Sequence, residues 1–198
     1  MLSGGLHAQT WNFIKEKDGV KLYSRLEPGR NLKSFRGVSE IKASTEKVFA
    51  LIEDINHREW WDKNLDQIHL LKYEKNKLAQ YYLVYKMPWP FTSRDLCVDI
   101  NVTINKARGE YRANAIPLRG ACPENKDFER IKDYRQLWTV RPINQKLTQV
   151  ELEFYVDPIV KLPDWFLNMI FVDSPIITIK KLRQQIEMNE ASSLPLDM

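Results

Sequence analysis

Strict alternation of apolar and polar residues in two stretches constrains this chain more than any other feature. In residues 94–104 and 148–157 the apolar residues recur at every second position, which is the period of a β-strand. These apolar residues are Leu96, Val98, Ile100, Val102 and Ile104 in the first stretch, and Val150, Leu152, Phe154 and Val156 in the second. Such alternation is typical of an antiparallel sheet with one covered face and one face in water. The sequence therefore requires an element that covers one face of a sheet.

The end of the chain is predicted to supply that cover. Pro163 suits the first turn of a helix, and residues 164–188 have a helical pattern with a break at Pro175. Beyond the break, apolar residues share one helical face at positions 176, 179, 182 and 186. Also predicted are a helix over 45–54, capped by Ser44, and strands over 20–26, 32–41, 67–73, 78–87, 110–117 and 134–143. This order predicts an α+β fold in which a strongly bent antiparallel sheet wraps round a long C-terminal helix.

Composition and charge exclude several classes of protein. The 198 residues are 43% hydrophobic and 11% aromatic, which is enough for one folded, soluble domain over residues 11–188, between tails at 1–10 and 189–198. A net charge of +4 without a clustered basic excess argues against nucleic-acid binding. No run reaches the roughly 18 apolar residues of a membrane span. The N-terminus loosely resembles the end of a signal peptide but lacks its basic and apolar regions, so a cytoplasmic and an exported location both stay open.

No motif in the sequence assembles a catalytic or metal site. A Gly-rich phosphate loop, a zinc-protease helix, a Cys-x-x-Cys pair and a nucleophile elbow are all absent. Cys97 and Cys122 stand in unrelated contexts, and we predict neither a disulfide framework nor a zinc site. We therefore predict no catalytic residue, no metal and no cofactor.

Arg94 is the most informative single residue. It shares its alternation with Leu96 and Val98, so its side chain should begin on the covered face of the sheet. A buried guanidinium needs an anionic or polar partner, because an unpaired charge costs several kcal/mol to desolvate. Asp62 and Glu53 are the candidate partners. In the alternative interpretation, Arg94 lies at the strand end and bends out to water, while Asp95 caps a neighbour.

Two further segments offer apolar surface in excess. In strand 78–87 one face carries Tyr81, Leu83 and Tyr85, which fits either a packed core or the wall of a cavity. Residues 165–172 are apolar on every side of a helix, so they must be buried or meet a ligand, a partner or a membrane. The long connection 118–132 is typical of a lid or a binding loop.

Several motifs in series resemble the START domains, which are lipid-transfer domains related to the steroidogenic acute regulatory protein. The motifs are DGVKLYSR at 18–25, WWD at 60–62, PWPFTSRDLCV at 88–98, the stretch 123–130, DPIVKLPDWFLN at 157–168 and VDSP at 172–175. The resemblance implies a helix-grip fold around a tunnel for one lipid, with Arg94 meeting a carboxylate or a ligand group inside. It also implies that helix 164–173 and a loop near 118–132 act as a gate. The chain departs from the family at Ile159 and Val160, where two glycines are common.

The leading hypothesis is a non-catalytic monomer that binds, and transfers, one hydrophobic small molecule such as a lipid, with transient membrane contact. The predicted ligand-binding residues are Arg94, Asp62, Tyr81, Leu83, Tyr85, Leu96, Val98, Trp138, Phe166 and Ile170. The alternative is a helix-grip enzyme of polyketide cyclase or aromatase type, with His69, Asp62 or Tyr81 as its titratable group. A third hypothesis is a regulatory module that binds a partner protein through helix 164–173.

Overall fold

The computed structural model describes residues 10–28, 32–56, 64–157 and 171–192. Within these ranges the chain forms ten strands and two helices. They are β1 (Asn12–Lys17), β2 (Val20–Leu26), β3 (Lys33–Ile41), α1 (Thr45–Glu53), β4 (Leu65–Glu74), β5 (Leu78–Tyr85), β6 (Arg94–Asn105), β7 (Glu110–Pro117), β8 (Glu129–Arg130), β9 (Tyr134–Asn144), β10 (Leu147–Val156) and α2 (Ser174–Ser192).

The strands form one sheet, in the order β1-β2-β3-β10-β9-β7-β6-β5-β4. Neighbours in this order are antiparallel, while the short β8 lies off the path and pairs parallel with β6. Most neighbours are consecutive in sequence and joined by turns, whereas β3 meets β10 from the far end of the chain. The predicted α+β helix-grip architecture is confirmed.

The local predictions hold where a pattern is strong. Strand β2 has the predicted bounds, and the Ser44 side chain accepts a hydrogen bond from the backbone N–H of Lys47 at 3.4 Å, as an N-cap does. Strands β1 and β8 were not predicted, since neither has a clear alternation. Helix α2 begins at Ser174, which puts Pro175 in its first turn, and it continues into the predicted tail as far as Ser192. The predicted helical residues 164–170 and the start at Pro163 lie outside the described residues.

Helix α2 packs on the inner face of the sheet through the predicted apolar stripe. Ile176, Ile179, Leu182 and Ile186 are each at most 5% exposed. Burying one such side chain stabilises the fold by roughly 1.5–3 kcal/mol. The contact is close at Gly37 on β3, where a Cβ atom would lie 2.9 Å from Ile179 Cδ1 and 2.9 Å from Pro175 Cβ. A glycine at this position lets the helix approach the sheet.

The outer face of β6 is covered, although the alternation predicted it to lie in water. Asp95 is 0% exposed and Cys97 is 2% exposed, because residues 118–131, here called the strap, fold back over this part of the strand. Cys97 and Cys122 form a disulfide with their Cα atoms 6.0 Å apart, so our prediction of no disulfide is wrong. The two cysteines come together because the connection after β7 returns to β6, which spacing in the sequence does not reveal.

Ion pairs lie on the outer face of the other half of the sheet. Glu27 is 4% exposed, and its carboxylate accepts hydrogen bonds from the Ser34 hydroxyl and, at 2.6 Å, from Arg135 Nη2. Burial raises the pKa of Glu27, but the hydrogen bonds from Ser34, Arg135 and Arg25 lower it by more. The pKa of Glu27 therefore lies below its usual 4.5. This carboxylate therefore favours the folded state while it stays ionised.

Helices in the described ranges all fall short of the length and apolarity needed to cross a membrane.

Candidate ligand cavity

A cavity of about 140 Å³ lies between the inner face of the sheet and the two helices. One buried water needs about 10–15 Å³ on the same measure, so the space is that of an organic molecule. Strands β4 to β7, β9 and β10 form its walls, helix α1 contributes Phe49, Ile52 and Glu53, and the start of α2 contributes Ser174 and Thr178. The lining is predominantly apolar, as in most small-molecule sites.

Small side chains in the middle of the sheet create this space. Ala79, Ala113 and Ala115 point from β5 and β7 into the cavity. On the neighbouring strand β9, Trp138 pairs with Ala113 and Gln136 pairs with Ala115. A row in which small residues face large ones leaves room above the small ones, because the sheet backbone keeps a fixed spacing. The cavity is thus a consequence of strand register.

The structure brings together most of the residues predicted to bind ligand. Lining the cavity are Arg94, Tyr81, Leu83, Tyr85, Val98 and Trp138. Leu96 is fully buried but packs in the hydrophobic core next to the cavity instead of lining it. Asp62, Phe166 and Ile170 lie outside the described residues, although Phe171, the next residue after Ile170, does line the cavity.

Arg94 is buried, 3% exposed, so the interpretation in which it bends out to water is wrong. Its Nη2 lies 3.0 Å from Oε2 of Glu129, and its Nη1 donates to the carbonyl of Thr92. Among the described residues its Nε has no hydrogen-bond partner. The guanidinium is therefore held through its two terminal nitrogens, while its Nε donor has no partner in the described part of the chain.

Glu53, one of the two candidate partners, is not the residue that pairs with Arg94, since Glu129 occupies that place and Glu53 Oε1 accepts a hydrogen bond from the backbone N–H of Asn76. The other predicted partner, Asp62, lies outside the described residues. The observed partner comes from β8, which runs parallel to β6 and aligns Glu129 with Arg94 and Arg130 with Asp95. Asp95 accordingly does not cap a neighbouring element but accepts two hydrogen bonds from Arg130, at 2.7 and 2.8 Å.

Two polar lining residues on β9 were not predicted. The Tyr134 hydroxyl lies 3.0 Å from Oε1 of Gln136, to which it donates, and both side chains line the cavity. They share the alternation of Trp138, so extending that pattern two steps back along the strand would have found them. With Arg94, they give an otherwise apolar cavity a few convergent polar groups.

Of the three titratable groups considered for an enzyme, the structure describes His69 and Tyr81, and they lie apart. His69 is exposed and stacks on Tyr82 with ring centroids 6.0 Å apart. Tyr82 lies on the strap side of the sheet, where burial, and then its hydrogen bond to Asp95, raise its pKa above the usual 10.0. Of the predicted candidates, Tyr81 lines the cavity. Nowhere in the described parts of the chain do three His, Cys, Asp or Glu side chains come close enough to hold a metal ion.

Relatives of the chain cover most of its length. An uncharacterised protein of Pseudomonas aeruginosa is 34% identical over 187 residues, which are 94% of this chain and 91% of that protein. The phosphatidylcholine transfer protein of Rattus norvegicus is 21% identical over 165 residues, 80% of this chain and 75% of that protein. No protein-family model matches the chain.

Solved structures agree with these relatives. A STAR-related lipid transfer protein from Xanthomonas axonopodis has a TM-score of 0.78 at 26% identity, over 89% of this chain and 98% of that chain. An aromatase/cyclase from Streptomyces has a TM-score of 0.55 at 10% identity, over 81% of this chain and 97% of that chain, and thus shares the fold alone. Sequence relatives, fold and the order of motifs agree, and the chain belongs to the START family of STAR-related lipid transfer domains.

Proposed function

We propose that this protein binds a single lipid in the cavity and transfers it between membranes. The observation that carries the proposal is the apolar cavity of about 140 Å³ with one buried arginine in its wall. Burial of apolar ligand surface yields about 25 cal/mol per Å², so the acyl or ring portion of the ligand supplies most of the affinity. The STAR-related and phosphatidylcholine transfer relatives give this proposal its class of ligand.

Arg94 orients the polar end of the ligand in this proposal. The Arg94 side chain lines the cavity, and its Nε has no hydrogen-bond partner among the described residues. Water must leave the cavity when a lipid enters, and an unpaired buried donor is costly. A phosphate, carboxylate or hydroxyl oxygen on the ligand would accept from it. Charged acceptors form the stronger bond, so an anionic head group suits this end best.

Ligand entry would require the C-terminal helical region to move. The resemblance to START domains also implied a gate near 118–132, and while the Cys97–Cys122 disulfide is intact, this disulfide and the Asp95–Arg130 pair hold the strap on β6. Phe171, Ser174 and Thr178 line the cavity from the beginning of α2. Displacing this end of the helix would therefore open the cavity, which agrees with a gate that includes the described residues 171–173.

Trp89 would make the transient membrane contact. It is 92% exposed, and it lies between two prolines in the connection from β5 to β6, two residues from Met87 in the cavity wall. Tryptophan favours the membrane interface because its ring is apolar and its indole N–H is polar. A docked Trp89 would bring the cavity close to the bilayer.

The disulfide supports an exported protein over a cytoplasmic one. Structural disulfides persist in oxidising compartments and are rare in the cytosol. We therefore extend the proposal to a lipid carrier outside the cytoplasm, where the disulfide stays oxidised unless a dithiol or a thiol oxidoreductase reduces it.

Extraction tests lipid binding directly. Native mass spectrometry of protein purified from cells should show one bound molecule per chain, and extraction of the same protein into organic solvent should release that apolar molecule. Empty extracts in repeated preparations, together with no saturable uptake of fluorescent phosphatidylcholine from vesicles, would overturn the proposal.

Two pairs of variants test the assigned roles. Arg94→Leu should change the preference among lipid head groups, whereas Lys181→Ala on α2 should not. Trp89→Ser should weaken sedimentation with phosphatidylcholine vesicles, whereas Ile143→Ser, at a residue of β9 that is 47% exposed, should leave it unchanged. Wild-type behaviour of Arg94→Leu or Trp89→Ser would refute the role of that residue.

A further inference from the structure

We propose that the Cys97–Cys122 disulfide is a redox-controlled latch on the ligand cavity. The strap that it fastens is also part of the cavity wall, so the thiol state at the outer face sets how readily the cavity opens. This inference rests on the proposed lipid-binding function, and its test below separates the two.

The strap is attached to β6 at both of its ends. The backbone N–H of Leu118 donates to the carbonyl of Cys97 at 2.7 Å. At the other end, the backbone N–H of Glu129 donates to the carbonyl of Ser93, the residue before β6, at 3.0 Å. The backbone N–H of Ile131 donates to the carbonyl of Asp95 at 2.8 Å. The disulfide adds a covalent bond between these two attachments.

At its β8 end the strap forms two ion pairs with β6, one on each face of the sheet, and β6 supplies the cation in one pair and the anion in the other. Arg94 and Asp95 are adjacent on β6 and point to opposite faces, and they align with Glu129 and Arg130. The Arg94–Glu129 pair, at 3.0 Å, is on the cavity side, while the Asp95–Arg130 pair, at 2.7 Å, is on the outer side. Displacement of these two strap residues would break both pairs together.

Arg130 connects these ion pairs with the disulfide. Besides binding Asp95, its Nη2 donates to the carbonyl of Pro123 at 2.8 Å, and its Nη1 donates to the carbonyl of Cys122 at 3.4 Å. The backbone next to the bonded sulfur is therefore fixed to the same guanidinium that holds β8 in place. Loss of the disulfide would therefore loosen the backbone at Cys122 and Pro123, to which Arg130 is bonded.

The strap also reaches the cavity itself. Ile131 is 7% exposed and lines the cavity, and Glu129 holds Arg94, which lines it too. When the strap moves away, the wall loses an apolar side chain and Arg94 loses its carboxylate. Both changes favour exchange of the ligand and leave the guanidinium free for its polar end.

A dithiol can open the latch by thiol–disulfide exchange. One thiolate of dithiothreitol, or of a thiol oxidoreductase, attacks the sulfur of Cys122, whose residue is 9% exposed against 2% for Cys97. The Cys97 sulfur leaves as a thiolate, and the second thiol of the dithiol then releases Cys122. Two electrons and two protons pass to the cysteines, and the dithiol becomes a disulfide.

Hydrogen exchange of the full chain, with and without dithiothreitol, tests the latch without any ligand. Reduction should speed exchange of the Glu129 and Ile131 amides by about tenfold or more, because the cross-link no longer limits local opening. The variant Cys97→Ser/Cys122→Ser should exchange rapidly in both conditions, which controls for other effects of the reductant. Unchanged exchange at these amides, once alkylation has confirmed two free thiols, would overturn the proposal.

Release of fluorescent phosphatidylcholine to acceptor vesicles then tests the coupling to the cavity. Reduction should speed release several-fold in the wild type and have no effect in the double serine variant. Faster hydrogen exchange without faster lipid release would overturn the link between latch and cavity. A protein that binds no lipid in either state would refute the proposed function, while hydrogen exchange would still decide whether the disulfide holds the strap.

Discussion

Replacing Gly37 with alanine measures how closely α2 is fixed to the sheet. A Cβ at this position would lie 2.9 Å from Ile179 Cδ1, 2.9 Å from Pro175 Cβ and 3.3 Å from Val20 Cγ1. Overpacking of this kind costs about 1–3 kcal/mol, whereas the lower entropy of the unfolded chain returns about 0.4–1 kcal/mol. We therefore expect Gly37→Ala to lower the free energy of unfolding by about 1–2 kcal/mol.

Urea unfolding followed by circular dichroism measures this loss. With a slope of about 2 kcal/mol per molar urea, the midpoint should fall by roughly 0.5–1 M. Because the clash pushes on the beginning of α2, the same variant should release fluorescent phosphatidylcholine faster than the wild type. Stability equal to or above that of the wild type would refute the close approach of helix and sheet.

A double-mutant cycle identifies the atom responsible. Ile179→Val removes the Cδ1 atom that the new methyl group would meet and costs about 0.5–1.5 kcal/mol alone. Combined with Gly37→Ala, it should cost less than the sum of the single changes by at least about 0.5 kcal/mol. Additive costs would mean that Ile179 does not meet residue 37, and the reasoning from this contact would fail.

Other predictions concern the cavity and two titratable groups. Ala115→Phe should fill the cavity and abolish saturable uptake of fluorescent phosphatidylcholine, whereas Ile116→Phe, on the opposite face of β7, should bind as the wild type does. The pKa of Glu27 is lowered on folding, so the stabilisation that Glu27 contributes is present above pH 4.5 and is lost as the pH falls through the folded pKa. On acidification, the urea midpoint should therefore fall more steeply for the wild type than for Glu27→Gln. The pKa of Tyr82 is raised on folding, so the stabilisation that Tyr82 contributes is present below pH 10.0 and is lost as the pH rises through the folded pKa. In alkali, Tyr82→Phe should therefore lose less stability than the wild type. Equal losses in the two proteins would contradict this.

The inner face of the sheet could be predicted because it follows from local pattern. Side chains alternate along a strand, so the parity of Arg94 and of Tyr81 placed both on the inner side without knowledge of their neighbours. The stripe from Ile176 to Ile186 likewise follows from helical spacing. These predictions depend on residues a few positions apart.

The contacts that were missed join residues far apart in the sequence. Glu129 meets Arg94, and Cys122 meets Cys97, because the strap turns back onto β6. Nothing near Glu129 specifies a strand, since β8 has two residues and is too short to show alternation. The covered outer face of β6 has the same cause, because local pattern cannot tell which surface a distant loop will occupy.

The pairing of β3 with β10 constrains how the chain can be made. Ile41 pairs with Thr148 and Phe35 with Phe154, so the sheet joins its two halves only after β10 has been synthesised. Until then, β3 has an edge of unpaired backbone groups, which is a template for strands of other chains. Contacts over such long separations also form slowly, because the loop must close before any interaction repays its entropy. We therefore expect chains that stop before residue 147 to aggregate during synthesis, and chains that include β10 not to aggregate.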